Sequence, residues 1–179
     1  LAQAANKSAA DITDMGFAFK QVAPVAATTG QSLEDVSALL AVLANNSVKG
    51  ADAGSDLRNV ITRMVNPSKQ AAGVMKQLGL SIKDVNGNVK PLPQFFEEAN
   101  KAFAKLNNAS RAQAASILAG EENLKSFLIL TGTAPQTIED MRAAMQNATG
   151  AADQMANTIN QGVTKSVGEF TGALETLRT

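Results

Sequence analysis

The sequence predicts an all-α (mainly α) protein: a compact multi-helix domain with one small β-hairpin near 80–92 and a long C-terminal helix. Three observations carry this. Apolar residues recur at helical spacing along most of the chain, clusters of Gly, Pro and Asn interrupt them at short intervals, and only between Leu80 and Leu92 does the period change. At 179 residues and 45% hydrophobic content the chain can bury a core of its own, so one domain is expected over 1–150, with 151–179 as a C-terminal helix.

Ser8 with Asp11 caps a first helix that carries Ile12, Met15, Phe19 and Val22 on one face, and Pro24 is expected to kink or restart it before Gly30. Residues 32–67 then read as a helical hairpin. Leu33, Val36, Leu40 and Leu43 form one apolar stripe, and Leu57, Val60, Ile61 and Met64 form another. Between them Asn45 and Asn46 take the backbone out of the helix, Gly50 and Gly54 permit tight approach, and Pro67 stops the second helix at Asn66. Ser68 caps a short helix ending at Gly79, with Ala71, Val74, Met75 and Leu78 facing inward.

From Leu80 to Leu92 the residues Leu80, Ile82, Val85, Val89 and Leu92 surround Asn86-Gly87, a pattern that suits two very short strands about a tight turn. Pro91 and Pro93 close this segment, and Pro93 opens the next helix, whose face of Phe96, Ala99, Phe103 and Leu106 is the most aromatic in the chain. Asn107, Asn108 and Ser110 break it. An Ala-rich helix reaches Leu118, and after Gly120 comes one built on Leu124, Phe127, Leu128 and Leu130, whose FLIL run is apolar all round and is expected at the centre. Gly132 and Pro135 introduce a helix with Ile138, Met141 and Met145. Finally Val163, Val167, Phe170, Leu174 and Leu177 alternate steps of four and three, as in a coiled-coil seam. That last helix either packs on the domain or leads out of it into an extended or coiled-coil region.

Composition removes whole classes of chemistry. The chain has no histidine, so imidazole acid–base catalysis, catalytic triads and His-containing metal sites are absent. It has no cysteine, which removes disulfides, thiolate nucleophiles and zinc thiolates. Sixteen basic residues balance sixteen acidic ones, and no positive stripe suited to duplex phosphates is evident, so specific nucleic-acid binding by this segment is disfavoured. No run approaches the ~20 apolar residues needed to span a bilayer, so no membrane span is expected in this segment. The seven Phe, without Trp or Tyr, read as core residues.

Each remaining chemical motif has a structural explanation. Glu97 with Glu98, and Glu121 with Glu122, are adjacent carboxylates, but neighbours on a helix point about 100° apart and do not converge on one bond. Asp84, Asn86 and Asn88 around Gly87 resemble a calcium loop, yet the glycine is too early and Phe95 stands where an EF-hand needs its glutamate. Lys49, Gly50 and Gly54 lack the Gly-Lys-Ser/Thr ending of a phosphate loop. Sequons begin at Asn6, Asn45, Asn108 and Asn147, in loop and cap positions that favour Asn anyway. No catalytic, cofactor-binding or metal site is therefore expected, and no enzyme activity.

One ordered set of segments does point to a family. SLED, LAVLAN, KG, AG, LR and NPSK within 32–69, then KQLGLSIKDVNGNVKPL, SILAGEENLKSFLIL and NATGAADQMA, resemble the core region of bacteriophage and prophage tail tape measure proteins. The resemblance runs over roughly residues 17–179. It implies a virion structural protein that sets tail length during tail assembly and is released on DNA delivery. It further implies synthesis in the host bacterial cytoplasm, residence in the tail tube lumen, and contacts with tail tube and tail assembly or chaperone proteins. The chain begins without methionine and ends within a helical pattern, as a fragment of a longer protein would. Self-association through 151–179 is a further expectation.

The competing expectation is a helical interaction or adapter module unrelated to phage. A tape measure calls for a parent of many hundreds of residues, whereas a secreted module calls for a short gene with an export signal. A continuous helix of this residue count would reach about 270 Å, against a radius of gyration of about 16 Å for a compact domain. The many Gly and Pro breaks favour the compact form, so this segment is expected to be a folded region attached to a ruler.

Overall fold

Polar residues that accept from the first turn start several of the helices. The computed structural model describes residues 8–147. Asp11 caps α1 (Ile12–Thr28) in a reciprocal box with Asp14: Asp14 N donates to Asp11 Oδ1 at 2.7 Å and Asp11 N to Asp14 Oδ2 at 3.5 Å. Ser32 caps α2 (Leu33–Asn45), Ser68 caps α4 (Lys69–Leu78) and Asn107 caps α6 (Asn108–Ala119), each by accepting from the backbone N–H three residues on. Lys49 precedes α3 (Gly50–Val65), Pro91 precedes α5 (Leu92–Phe103) and Asn123 precedes α7 (Leu124–Gly132), each without a side-chain cap. Helical backbone continues over 135–147.

Three of these helices close alike. Gln31 N reaches Ala26 O, Val48 N reaches Leu43 O and Leu80 N reaches Met75 O, each across a residue with positive φ. Glycine fills that position at Gly30 and Gly79, but after α2 it is Ser47, at φ 63°. The exit expected of Asn45 and Asn46 therefore falls to Ser47, while the Asn46 side chain bonds back to Val42 O. Pro24 does not restart the first helix either, since α1 runs through it to Thr28. The Thr28 hydroxyl bonds Pro24 O and the Thr29 hydroxyl bonds Val25 O just beyond it.

The expected β-hairpin at 80–92 is not present: among the described residues there are helices and no strand, only one antiparallel bridge between Lys83 and Val89. One bridged residue pair about a turn is too few for a ladder, and among the described residues no strand lies beside it. The Asp84 side chain organises the turn instead, accepting from Asn86 N at 2.8 Å and Asn88 N at 2.9 Å. Gln31 substitutes for a neighbouring strand, donating to Lys90 O and accepting from Leu92 N. Leu80 and Ile82 still point into the core, while Val85 at the tip is fully exposed.

One core collects side chains from every helix, and the residues described up to Met145 belong to a single compact unit. Its centre is α2, not the FLIL helix. All ten residues from Asp35 to Ala44 are buried, whereas in α7 Phe127 and Leu130 are buried and Leu128 and Ile129 only partly so. Leu33, expected on the buried stripe, is 53% exposed because it lies in the first turn, ahead of the enclosed segment. The aromatic residues join α5 to α7: Phe127 meets Phe96 and Phe103 edge-on, at ring-centroid distances of 6.2 and 5.7 Å. Helices α1 and α3 form the most extensive helix pair. The expected C-terminal helix of 151–179 and its coiled-coil seam lie outside the described residues.

Candidate functional site

A cleft of about 520 Å³ lies between the start of α5 and the helical stretch from 135. Pro91, Pro93 and Pro135 shape its walls, and Glu97, Glu139 and Arg142 bring charge to it. Arg142 Nε lies 2.6 Å from Asp35 Oδ1, and its Nη1 lies 3.3 Å from Glu139. The hydrogen bond that Arg142 donates to Asp35 is the largest influence on it and raises its pKa above the usual guanidinium value. Glu97 pairs with Lys101 one turn along. Each charged side chain that lines the cleft therefore already has a partner of opposite sign, with Arg142 shared between two carboxylates.

The Asp35–Arg142 pair is the chief electrostatic tie in this region. Asp35 occupies the third position of α2, where a capping-box carboxylate would turn back to the helix start, yet it is aimed at Arg142, 107 residues away. Its carboxylate also faces the positive end of the α2 dipole. Arg142 thus fastens the helical stretch 135–145 to the N-terminus of the central helix, beside the buried anchors Ile138 and Met145.

A second polar cluster joins α3 to the turn before α7. Ser126 donates to Asp56, Asn59 Nδ2 donates to Asn123 Oδ1 at 3.2 Å, and the buried Asn123 amide donates to Ala119 O at 2.8 Å. Burial is the largest influence on Asp56 and raises its pKa; the nearby Asp52 and Glu122 act the same way, opposed by the Ser126 hydrogen bond and by Lys125. Arg63 closes the cluster from the other side, donating to Leu118 O and lying 3.7 Å from Glu122. Every partner here is a group that needs satisfying, which describes a structural joint.

The motifs singled out in the sequence are not brought together. Glu98 is held by Lys90 at 2.8 Å and Glu97 by a different lysine, Lys101, and Glu121 is exposed beside Glu122. For Asp84 the largest influence, desolvation, opposes ionisation, but the Asn88 and Asn86 N–H bonds outweigh it and lower the pKa below the usual carboxylate value. Among the described residues no cluster of carboxylates is suited to a metal ion. Gly50 has φ 56° and makes the entry to α3, while Gly54 lies inside that helix against α1.

The profile of the family described as phage-related minor tail protein matches residues 1–120. The chain belongs to that family. Two curated proteins resemble this tail-protein chain along its whole length. It is 34% identical to the tape measure protein of Pneumococcus phage Dp-1 over 98% of the chain, and 28% identical to the probable tape measure protein of Escherichia phage P2 over 100%. The chain spans only 15% and 22% of those two relatives. No solved structure matches it. Family membership removes the adapter module unrelated to phage. Sequence reasoning about the tail-protein chain missed the Asp35–Arg142 tie and the Gln31 bracket, because no spacing marks partners that far apart.

Proposed function

We propose that this chain is a folded region of a phage tail tape measure protein, with a structural role in setting tail length during assembly and leaving the tube when DNA is delivered. The observation that carries this reading is the similarity over the whole chain to two proteins named as tape measures, from different phages. An extensive helical core supports a scaffold role. Tail tube and tail assembly or chaperone proteins are then its natural partners, the tail tube lumen its place in the virion, and the host cytoplasm its site of synthesis. Among the described residues no helix is long and apolar enough to cross a membrane. We further propose that the region 1–150 acts as one folded domain and that 151–179 connects it to the rest of the parent and mediates self-association.

The region is read as a body attached to the ruler, because its helices turn back on one another instead of running end to end. In-frame deletion of its codons from the parent gene, followed by electron microscopy of tails, tests this. A compact region changes tail length by far less than the ~270 Å that 179 residues of continuous helix would contribute. A shortening near that length would overturn the compact reading. Normal tails lacking the parent protein altogether would overturn the tape measure reading.

A further inference from the structure

Another concavity, of about 440 Å³, lies between α5, α6 and α7, with Phe103 and Leu128 as apolar wall and the polar residues Asn100, Thr131 and Arg111 also lining it. Arg111 reaches it from the first turns of α6. Its Nη2 donates to Phe103 O at 3.2 Å and to Leu106 O at 3.4 Å, at the end of α5. Its Nε is buried with no hydrogen-bond partner, which is true of no other buried side-chain nitrogen or oxygen among the described residues. Nη1 has no protein partner, and no carboxylate of the described residues forms an ion pair with Arg111. Native proteins rarely leave a buried donor unmet.

We propose that this cavity binds a carboxylate carried on an apolar body, with Arg111 as the recognising cation. The single unbalanced charge matches a monocarboxylate better than a phosphate dianion, for which no second cation lines the cavity. The Phe103 and Leu128 walls take the apolar part. In the free protein Nη2 holds the guanidinium against the carbonyls of Phe103 and Leu106. A carboxylate in the cavity supplies an acceptor to Nη1 and, after a small rotation of the group, to Nε. A free carboxylate and an acidic side chain next to an apolar one on a partner protein share this chemistry.

The test is NMR titration of the 179-residue chain with benzoate, with benzamide as the neutral control, reading the Arg111 Nε–H resonance and the Leu128 methyl resonances. The expected result is saturable shifts at both residues with benzoate and none with benzamide. Arg111→Lys is expected to weaken benzoate roughly tenfold or more. Adding N-acetyl-Leu-Glu-amide separates the sources: tighter binding than benzoate assigns the site to a partner chain, and weaker binding assigns it to a free carboxylate. Absence of saturable shifts, or equal response to benzamide, overturns the proposal. That contrast uses the unsubstituted chain, so it decides the matter even if the variant does not fold.

Discussion

The backbone of Ala18 in α1 occupies the space into which a side chain at Gly54 in α3 would project. A methyl group there would overlap the Ala18 carbonyl oxygen and come within 2.7 Å of the carbonyl carbon and Cα. Backbone cannot move aside as a flexible side chain can, so Gly54→Ala must push the most extensive helix pair apart. A loss of about 1–3 kcal/mol is expected in chemical denaturation. Gly73→Ala, inside α4 with nothing near its missing Cβ, is the control and should gain roughly 0.5–1 kcal/mol.

Leu40 is 1% exposed, within the enclosed stretch of α2. Leu40→Ala should cost about 2–5 kcal/mol, the range for a large aliphatic removed from a packed core. Leu33→Ala, on the same helix but 53% exposed, should change a thermal melt far less. Equal effects would contradict the central position of α2.

Ser47 holds a left-handed conformation at φ 63°, where a Cβ strains the backbone and glycine does not. Ser47→Gly should therefore stabilise the chain by about 1 kcal/mol, read as a raised denaturation midpoint with unchanged slope. The residue is exposed and its side chain is not needed for the closure, which rests on Val48 N and Leu43 O.

Arg142→Leu removes the cation from Asp35, whose side chain is only 6% exposed. Because Arg142 is itself 34% exposed, the loss should fall below the figure for fully buried pairs, at roughly 1–3 kcal/mol. Adding Asp35→Asn to that variant should recover part of it, since the stranded charge is then gone. A double-mutant cycle with no coupling would show that the tie is unimportant.

Asp56 gives the pH dependence a definite sign. Its folded pKa is raised above the unfolded value near ~3.9, so the folded state holds this proton more tightly. The contribution is fully present below the unfolded value and is lost as pH rises through the folded one. Asp56→Asn keeps an acceptor for Ser126 and removes the repulsion from Asp52 and Glu122. The variant should lack this decline, so its stability relative to the parent should improve as pH rises from about 4. An identical pH profile for the two proteins would refute the assignment.

Helix existence was legible in the sequence because it rests on local information. Ser68 and Gly79 bound α4, the periodic Leu and Phe residues mark buried faces, and Asn107 begins α6 with its own side chain. Strand formation was not legible: Val85 and Val89 have strand-like chemistry, but a ladder needs a partner, and Gln31 took that place with a side-chain amide. The Arg111 cavity left no mark in the sequence, since its walls come from three separate helices.

By itself the sequence determined that the chain is helical, where several of its helices begin and end, that imidazole and thiol chemistry are absent, and which tail-protein family it resembles. These follow from periodicity, capping chemistry, composition and the order of short segments. Only the tertiary structure decided that α2 is the enclosed helix, that Gly54 lies against Ala18, and that Asp35 turns from its own helix to Arg142. Those depend on which faces meet across long separations, where packing and charge pairing outweigh the local preferences that a linear pattern records.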